Sequence, residues 1–277
     1  MEPEDDAAWG STIQNAAYWD ARYARDAARG GGGSDNDTGS GGGGADGDGA
    51  EGSDAAGTFE WYVGYDQVSG LLEACLRPRG GRVLEIGCGN SELALGLHAA
   101  GYDVTATDYA AGQIALLNEQ HAALVAASSS TSSLPSLRFE ATDCRELVAA
   151  YGADYFDAVV DKACLDSMLS GDANTAKATC RQISRVLKPG GRFVVISHAA
   201  PEGDLGDILL REIILDNFDL ERFRWDVDIH SSEELGDDFV HVYVLEKVER
   251  PRTRLELARR RDKVDRLANV TVRRHWH

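Results

Sequence analysis

Nine residues, Val83-Leu-Glu-Ile-Gly-Cys-Gly-Asn-Ser91, restrict the fold more than any other stretch of the chain. An apolar strand turns through a G-x-G loop into a helix. Such a loop lets backbone approach a ligand closely, and the helix aims its first amides at it. From Arg82 onward, short β-branched runs alternate with longer amphipathic stretches, the pattern of βαβ units around a parallel sheet. Strands are predicted at Arg82 to Gly87, Asp103 to Thr107, Leu137 to Ala141, Phe156 to Asp161, Gly191 to Ser197, Phe218 to Asp228 and Phe239 to Val248. Helices are predicted at Ser91 to Ala100, Ala110 to Ala127, Arg145 to Tyr151, Asn174 to Leu187 and Leu205 to Leu215. The last two strands are joined by a short polar loop with no room for a crossover helix, so they run antiparallel. The expected architecture is an α/β doubly wound, seven-stranded, mostly parallel sheet with an antiparallel last strand.

The glycines divide the rest of the chain. Thirteen of the 30 fall between Gly30 and Gly57, in a stretch with six acids, no Lys or Arg and no aromatic residue. Such a segment buries too little apolar surface to offset its ordering entropy and is expected to be a disordered insertion. It separates two aromatic pieces expected to belong to the fold, Tyr18-Trp-Asp-Ala-Arg-Tyr23 and Phe59-Glu-Trp-Tyr-Val-Gly-Tyr65. The chain therefore reads as an N-terminal segment (residues 1–57), a folded domain (58–248) and a tail (249–277). The tail has a helical pattern at Leu255, Ala258, Val264 and Leu267, and Ser128 to Ser136 reads as a surface loop. The five cysteines are never spaced as CxxC, so neither a disulfide framework nor a zinc site is suggested, and no metal is expected. With no run near the roughly 20 apolar residues of a membrane span and an acidic N-terminus unlike a signal peptide, the chain is expected to be soluble and cytoplasmic.

Chemistry concentrates at the strand ends. A dinucleotide site would place a third glycine where Glu92 stands, so the pyrophosphate fingerprint fails. Two glycines preceded by Glu85 suit a nucleoside ligand without phosphates. Asp108 closes the second strand, 21 residues beyond Gly87, where a carboxylate can accept both hydroxyls of a ribose. Asp143, after the third strand, repeats that position and can accept an adenine amino proton. Taken singly, either Asp is also an ordinary helix cap and a G-x-G an ordinary turn; their order along one sheet edge is what points to a ligand.

On these residues, from Phe59 to Val248, the chain resembles the class I S-adenosylmethionine-dependent methyltransferases. The E-x-G-x-G loop, the two strand-end aspartates and Val186-Leu-Lys-Pro-Gly-Gly191 match that family in order. A closer resemblance is to the branch that includes the elongation factor 1-alpha lysine methyltransferases. It is carried by Tyr18 to Tyr23, Glu60-Trp61, Gly87 to Ser91, Thr107-Asp108-Tyr109 and Asp161-Lys-Ala-Cys-Leu-Asp166. The chain departs from the branch at the glycine-rich insertion and at Ala163-Cys164, where the branch prefers Gly-Thr. The resemblance implies S-adenosylmethionine as cofactor, with Trp19, Tyr23 and Trp61 closing over it and Gly87 and Gly89 beneath it. It further implies Asp108 on the ribose, Tyr109 on the adenine face, Asp143 and Cys144 at the adenine edge, and Lys162 approaching from the fourth strand. Aromatic faces near a sulfonium have a physical rationale in the ring quadrupole.

Methyl transfer from a sulfonium is an in-line displacement that needs no protein nucleophile, and alignment can supply most of the catalysis. A lysine acceptor must first lose a proton; Asp161 and Asp166 are the candidate substrate carboxylates, and each is equally a helix cap or a solvated charge. No catalytic base is assigned. The whole chain carries 18 excess negative charges, and residues 58–248 hold 30 acids against 15 bases, whereas the tail holds 4 against 10. An acidic domain should attract a basic protein and repel nucleic acid, which agrees with a protein-lysine substrate such as elongation factor 1-alpha. A small-molecule methyltransferase and an inactive cofactor-binding module remain as alternatives.

Overall fold

Val83, Leu84, Glu85 and Ile86 are all buried, although their side chains point alternately to opposite faces of a sheet. Such a strand is covered on both faces, and it lies mid-sheet in the computed structural model, which describes residues 15–29, 59–76, 79–127, 135–231, 240–249 and 270–276. In chain order the elements are α1 (Ala16–Arg29), α2 (Tyr65–Cys75), β1 (Arg82–Ile86), α3 (Leu93–Ala99), β2 (Asp103–Asp108), α4 (Ala111–Ala127) and β3 (Leu137–Ala141). There follow α5 (Leu147–Tyr151, entered through a 3₁₀ turn), β4 (Phe156–Lys162), α6 (Cys164–Gly171), α7 (Ala173–Val186) and β5 (Leu187–Ser197). A short α8 (Asp204–Asp207) continues as a π-helical turn through Ile214, and β6 (Phe223–Ser231), β7 (His241–Glu249) and β8 (Val270–Trp276) complete the sheet.

The strand order is β3-β2-β1-β4-β5-β7-β6-β8. β1 to β5 are parallel, and β7 runs antiparallel to both β5 and β6. Leu84 and Ile86 face a core built with α5, α6, α7 and the 204–217 helical stretch; Val83 faces a second core with α2, α3 and α4. The doubly wound sheet expected from the sequence is present.

Three differences have local causes. The sheet has eight strands, because Val270–Trp276 adds to β6 in parallel and is a strand rather than part of a helical tail. Arg273 is bound to Asp228 by two hydrogen bonds of 2.7 and 3.1 Å, and Arg274 reaches Glu202 at 2.9 Å, so opposite charges hold this edge. The sixth strand begins at Phe223 rather than Phe218, since Asp219 accepts from the amide of Arg222 through its side chain and from that of Phe223 through its carbonyl, holding a turn there. Finally, α1, α2 and α6 are helices that the periodicity did not predict. The glycine-rich segment from Gly30, the serine loop from Ser128 to residue 134, and the helical pattern at Leu255 to Leu267 lie outside the described residues.

All five parallel strands deliver their C-terminal ends to one edge. That edge carries the glycine loop after β1, Asp108-Tyr109 after β2, Asp143-Cys144 after β3, Lys162-Ala163-Cys164 after β4 and Ser197-His198 after β5. α1 is fastened above it by Asp20, whose Oδ1 accepts from the amides of Gly112 (2.9 Å) and Gln113 (3.3 Å) and so caps α4.

Candidate active site

A cavity of about 330 Å³ opens at this edge, within the range of small-ligand sites. Its walls include Trp19, Tyr23, Trp61, Glu85, Gly87, Gly89, Asp108, Tyr109, Asp143, Cys144, Lys162 and Asp166. Every cofactor residue singled out in the sequence therefore meets at one site. Of the two substrate candidates, Asp166 lines the cavity, whereas Asp161 does not: it is 1% exposed and its Oδ1 accepts from the amide of Leu165, capping α6 from below. Burial, then the nearby Asp166, drives the Asp161 carboxyl well above its usual range.

The floor is set by the glycine loop. Gly87 and Gly89 both adopt positive φ (61° and 53°), a conformation that side chains resist. A Cβ on Gly87 would run into the Cys164 sulfur and one on Gly89 into the Tyr23 hydroxyl, so the neighbours as well as the turn demand glycine. Asp108 is 3% exposed and ties this loop to the next, its Oδ2 accepting from the Gly89 amide (3.0 Å) and its Oδ1 from that of Ala110 (2.9 Å). Burial raises its pKa and those backbone donors oppose the rise. Tyr23 stays a phenol, pushed far up by burial and then by Asp108. Asp143 caps the 3₁₀ turn through the Arg145 amide (2.8 Å) and is gripped by the Arg145 guanidinium, which holds its carboxyl below the usual range.

Glu85 is the most unusual floor residue. Its Oε2 is buried and has no hydrogen-bond partner among the described residues. Burial pushes its pKa from 4.5 up to about 8 despite the opposing pull of Lys162. At neutral pH the group is therefore largely the neutral acid, and a cationic ligand group brought against Oε2 would hold it as the carboxylate and satisfy it.

The roof comes from α1 and from a strap, residues 59–64. Lys162 reaches this strap, forming a close ion pair with Glu60 and donating to the Trp61 carbonyl at 3.3 Å. Glu60 also accepts from Ser91 Oγ (2.8 Å) and the Glu92 amide (2.7 Å). The Lys162 amine is thus engaged with the strap, and its part in the site is to anchor the roof. Above it, the Arg22 guanidinium lies 5.2 to 5.8 Å from the ring centres of Trp19, Phe59 and Trp61.

Among the lining residues that were not singled out in the sequence, Tyr62 and His198 form a linked pair with Asp166. Tyr62 donates to Asp166 Oδ2 at 3.1 Å and lies 2.8 Å from His198 Nδ1. Asp166 also accepts from Ser197 Oγ at 2.8 Å. Tyr62 holds φ at 68°, a left-handed backbone that a tyrosine adopts only under constraint. Burial, then Asp166, keeps its phenol protonated. Hydrogen bonding to Asp166 raises the His198 pKa, with burial opposing. The cavity thus has two ends: Asp108, Tyr109 and Asp143 on the β2–β3 side, and Asp166, Tyr62 and His198 on the β4–β5 side.

Residues 84–195 match a family described as a methyltransferase domain. The chain is 31% identical over 203 residues to the EEF1A lysine methyltransferase 4 of Mus musculus, a match covering 69% of this chain and 70% of the relative. It is 33% identical over 162 residues to the Bos taurus protein of the same name, covering 54% and 58%. It is also 32% identical over 203 residues to the eEF1A lysine and N-terminal methyltransferase of Xenopus laevis, covering 69% of this chain but 26% of that longer protein. With the glycine loop, the strand-end carboxylates and this coverage together, the chain belongs to the class I S-adenosylmethionine-dependent methyltransferases, in the branch related to the EEF1A lysine methyltransferases.

Proposed function

We propose that this protein is a protein-lysine N-methyltransferase that acts in the cytoplasm on a basic protein, elongation factor 1-alpha being the first candidate. The observation that carries the acceptor reading is Asp166, a carboxylate 6% exposed on the cavity wall at the end opposite Asp108. Held by Ser197 and Tyr62, it is placed to orient an ammonium group rather than a neutral acceptor. The names of the relatives and the 30 acids against 15 bases of residues 58–248 support the same reading, the charge also disfavouring a nucleic-acid partner.

The residues at the other end fit the cofactor. Asp108 retains acceptor capacity for ribose hydroxyls beside its two backbone bonds, and Tyr109 offers a ring to the adenine. The unpartnered Oε2 of Glu85 suits the cationic amino group. Asp143, already bound to Arg145, keeps acceptor sites for the adenine edge with Cys144 beside it. Trp19, Tyr23 and Trp61 exclude water and present ring faces to positive charge. When bound, S-adenosylmethionine supplies an electrophilic methyl group on a sulfonium. The protein's own part is alignment: the cofactor end fixes the donor and Asp166 fixes the acceptor nitrogen, which is where most of the barrier reduction arises.

The test is incubation of the purified chain with methyl-labelled S-adenosylmethionine and elongation factor 1-alpha, followed by peptide mass spectrometry. Label on a lysine is expected. Label only in small molecules when cell extract is added would replace the reading with a metabolite methyltransferase, and no label in any fraction would leave a binding module.

A further inference from the structure

We infer that His198 is the base that takes the proton from the acceptor amine, with Tyr62 and Asp166 fixing which ring nitrogen faces the acceptor. This rests on the lysine-acceptor reading above. His198 follows the last residue of β5 and lines the cavity beside Asp166, where its side chain is 46% exposed. Its Nδ1 is 2.8 Å from the Tyr62 oxygen and 3.4 Å from Asp166 Oδ2. The Tyr62 hydroxyl proton is directed to Asp166 Oδ2 at 3.1 Å. Its oxygen is therefore left to accept, and the donor it accepts from is His198 Nδ1–H. That order of donation fixes the tautomer: Nδ1 carries the hydrogen and Nε2 keeps its lone pair. No described residue hydrogen-bonds Nε2.

The arrangement has the parts of an oriented base: an imidazole, a hydroxyl that relays its orientation, and a buried carboxylate that completes the relay. The carboxylate is itself fixed by Ser197 Oγ, which in turn accepts from the Ala199 amide at 3.0 Å, so the chain of bonds begins in the backbone just after β5. The left-handed backbone of Tyr62 adds an independent sign, because such strain persists where surrounding contacts impose it and concentrates at functional sites. The titratable groups facing His198 are Tyr62 on the strap, Asp166 on α6 and His241 at the head of β7. Asp166 strengthens the imidazole's hold on a proton, which suits a group that must compete with an ammonium ion brought into a half-buried site.

The step balances. An acceptor R–NH₃⁺ gives one proton to Nε2, leaving R–NH₂ and an imidazolium stabilised by Asp166. The amine lone pair forms the N–C bond to the sulfonium methyl as the C–S bond breaks and its electron pair stays on sulfur, giving a neutral thioether and a methylated ammonium. The imidazolium then releases its proton to water from its exposed side.

The experiment uses the full chain, with ¹⁵N-histidine labelling to read ring tautomers by NMR and His198→Gln to identify the signal. His198 in the Nδ1–H form, shifting toward the other tautomer in Tyr62→Phe, is expected; a dominant Nε2–H form in the wild type overturns the inference. With elongation factor 1-alpha as acceptor, His198→Gln should lower kcat by about 10²–10⁴-fold and abolish the acid limb of the pH profile, while calorimetric cofactor affinity stays unchanged. A kcat within threefold of wild type overturns the inference. If His198→Gln fails to bind cofactor, Tyr62→Phe takes its place in the rate measurement, with a smaller loss expected and no loss overturning. If the wild type transfers no methyl to elongation factor 1-alpha, the acceptor reading fails, and the tautomer measurement still decides the base.

Discussion

Replacing Lys162 by methionine tests whether the roof of the cavity is held by a buried charge. The Lys162 side chain is 3% exposed and that of Glu60 27%, and the two form the pair that draws residues 59–64 onto the sheet edge. Removing one member of a buried pair typically costs about 3–5 kcal/mol, because the other is left in a poorly solvated place. Glu60 keeps its bonds from Ser91 and Glu92 and has partial access to water, which puts the expected loss at the low end, about 3 kcal/mol. With a urea m-value of about 2–3 kcal/mol/M, the midpoint should fall by roughly 1 M. The loss should be specific to the pair: Glu60→Gln combined with Lys162→Met removes both charges, so the double variant should be more stable than the sum of the single effects by at least about 1.5 kcal/mol. Cofactor affinity should fall in Lys162→Met as the strap loosens. A midpoint shift worth less than about 0.5 kcal/mol, or single effects that simply add, would refute the anchoring role.

Four other outcomes follow from the geometry. Because the Glu85 carboxyl sits at about 8 in the fold against its usual 4.5, its protonated form is favoured in the folded state; that contribution is complete below about 4.5 and is lost as pH rises through 8. Cofactor-free wild type should therefore lose up to ~1.4 kcal/mol per pH unit across that window relative to Glu85→Gln, read by urea titrations at each pH. Ala163 holds φ at 66°, so Ala163→Gly should raise stability by about 0.5–1 kcal/mol in the same assay. Gly89→Ala should abolish cofactor binding by calorimetry, since its Cβ meets both a positive φ and the Tyr23 hydroxyl. Lys247, buried on the opposite edge, donates to the carbonyls of Ser184 (2.9 Å) and Leu187 (2.5 Å) at the end of α7; Lys247→Met should cost about 2–3 kcal/mol by denaturation and leave cofactor affinity intact.

The sheet and the cofactor end were legible because their signals are local. Val83 to Ser91 carries strand, turn and helix in nine residues, and each strand-end aspartate directly follows an apolar run. The acceptor end was less legible, because Tyr62, Asp166 and His198 come from three separate elements and meet only when β4 and β5 pair. Asp161 and Asp166 look alike in sequence, yet one caps α6 from beneath while the other faces the cavity, a distinction made by the left-handed turn at Ala163. That turn also accounts for the branch's preference for glycine at this position. β8 was hidden for a different reason: Arg274 interrupts the alternation of apolar and polar side chains begun at Val270, and its partner strand lies about 45 positions earlier.

Arg22 has a consequence for how the cavity opens. One guanidinium sits against rings from two stretches of chain, Trp19 on α1 and Phe59 and Trp61 on the strap. Neither stretch can swing away without stripping the cation from an aromatic face that the other supplies. The two halves of the roof are thereby joined to each other as well as to the sheet edge, so that lifting one of them for cofactor exchange would disturb the other.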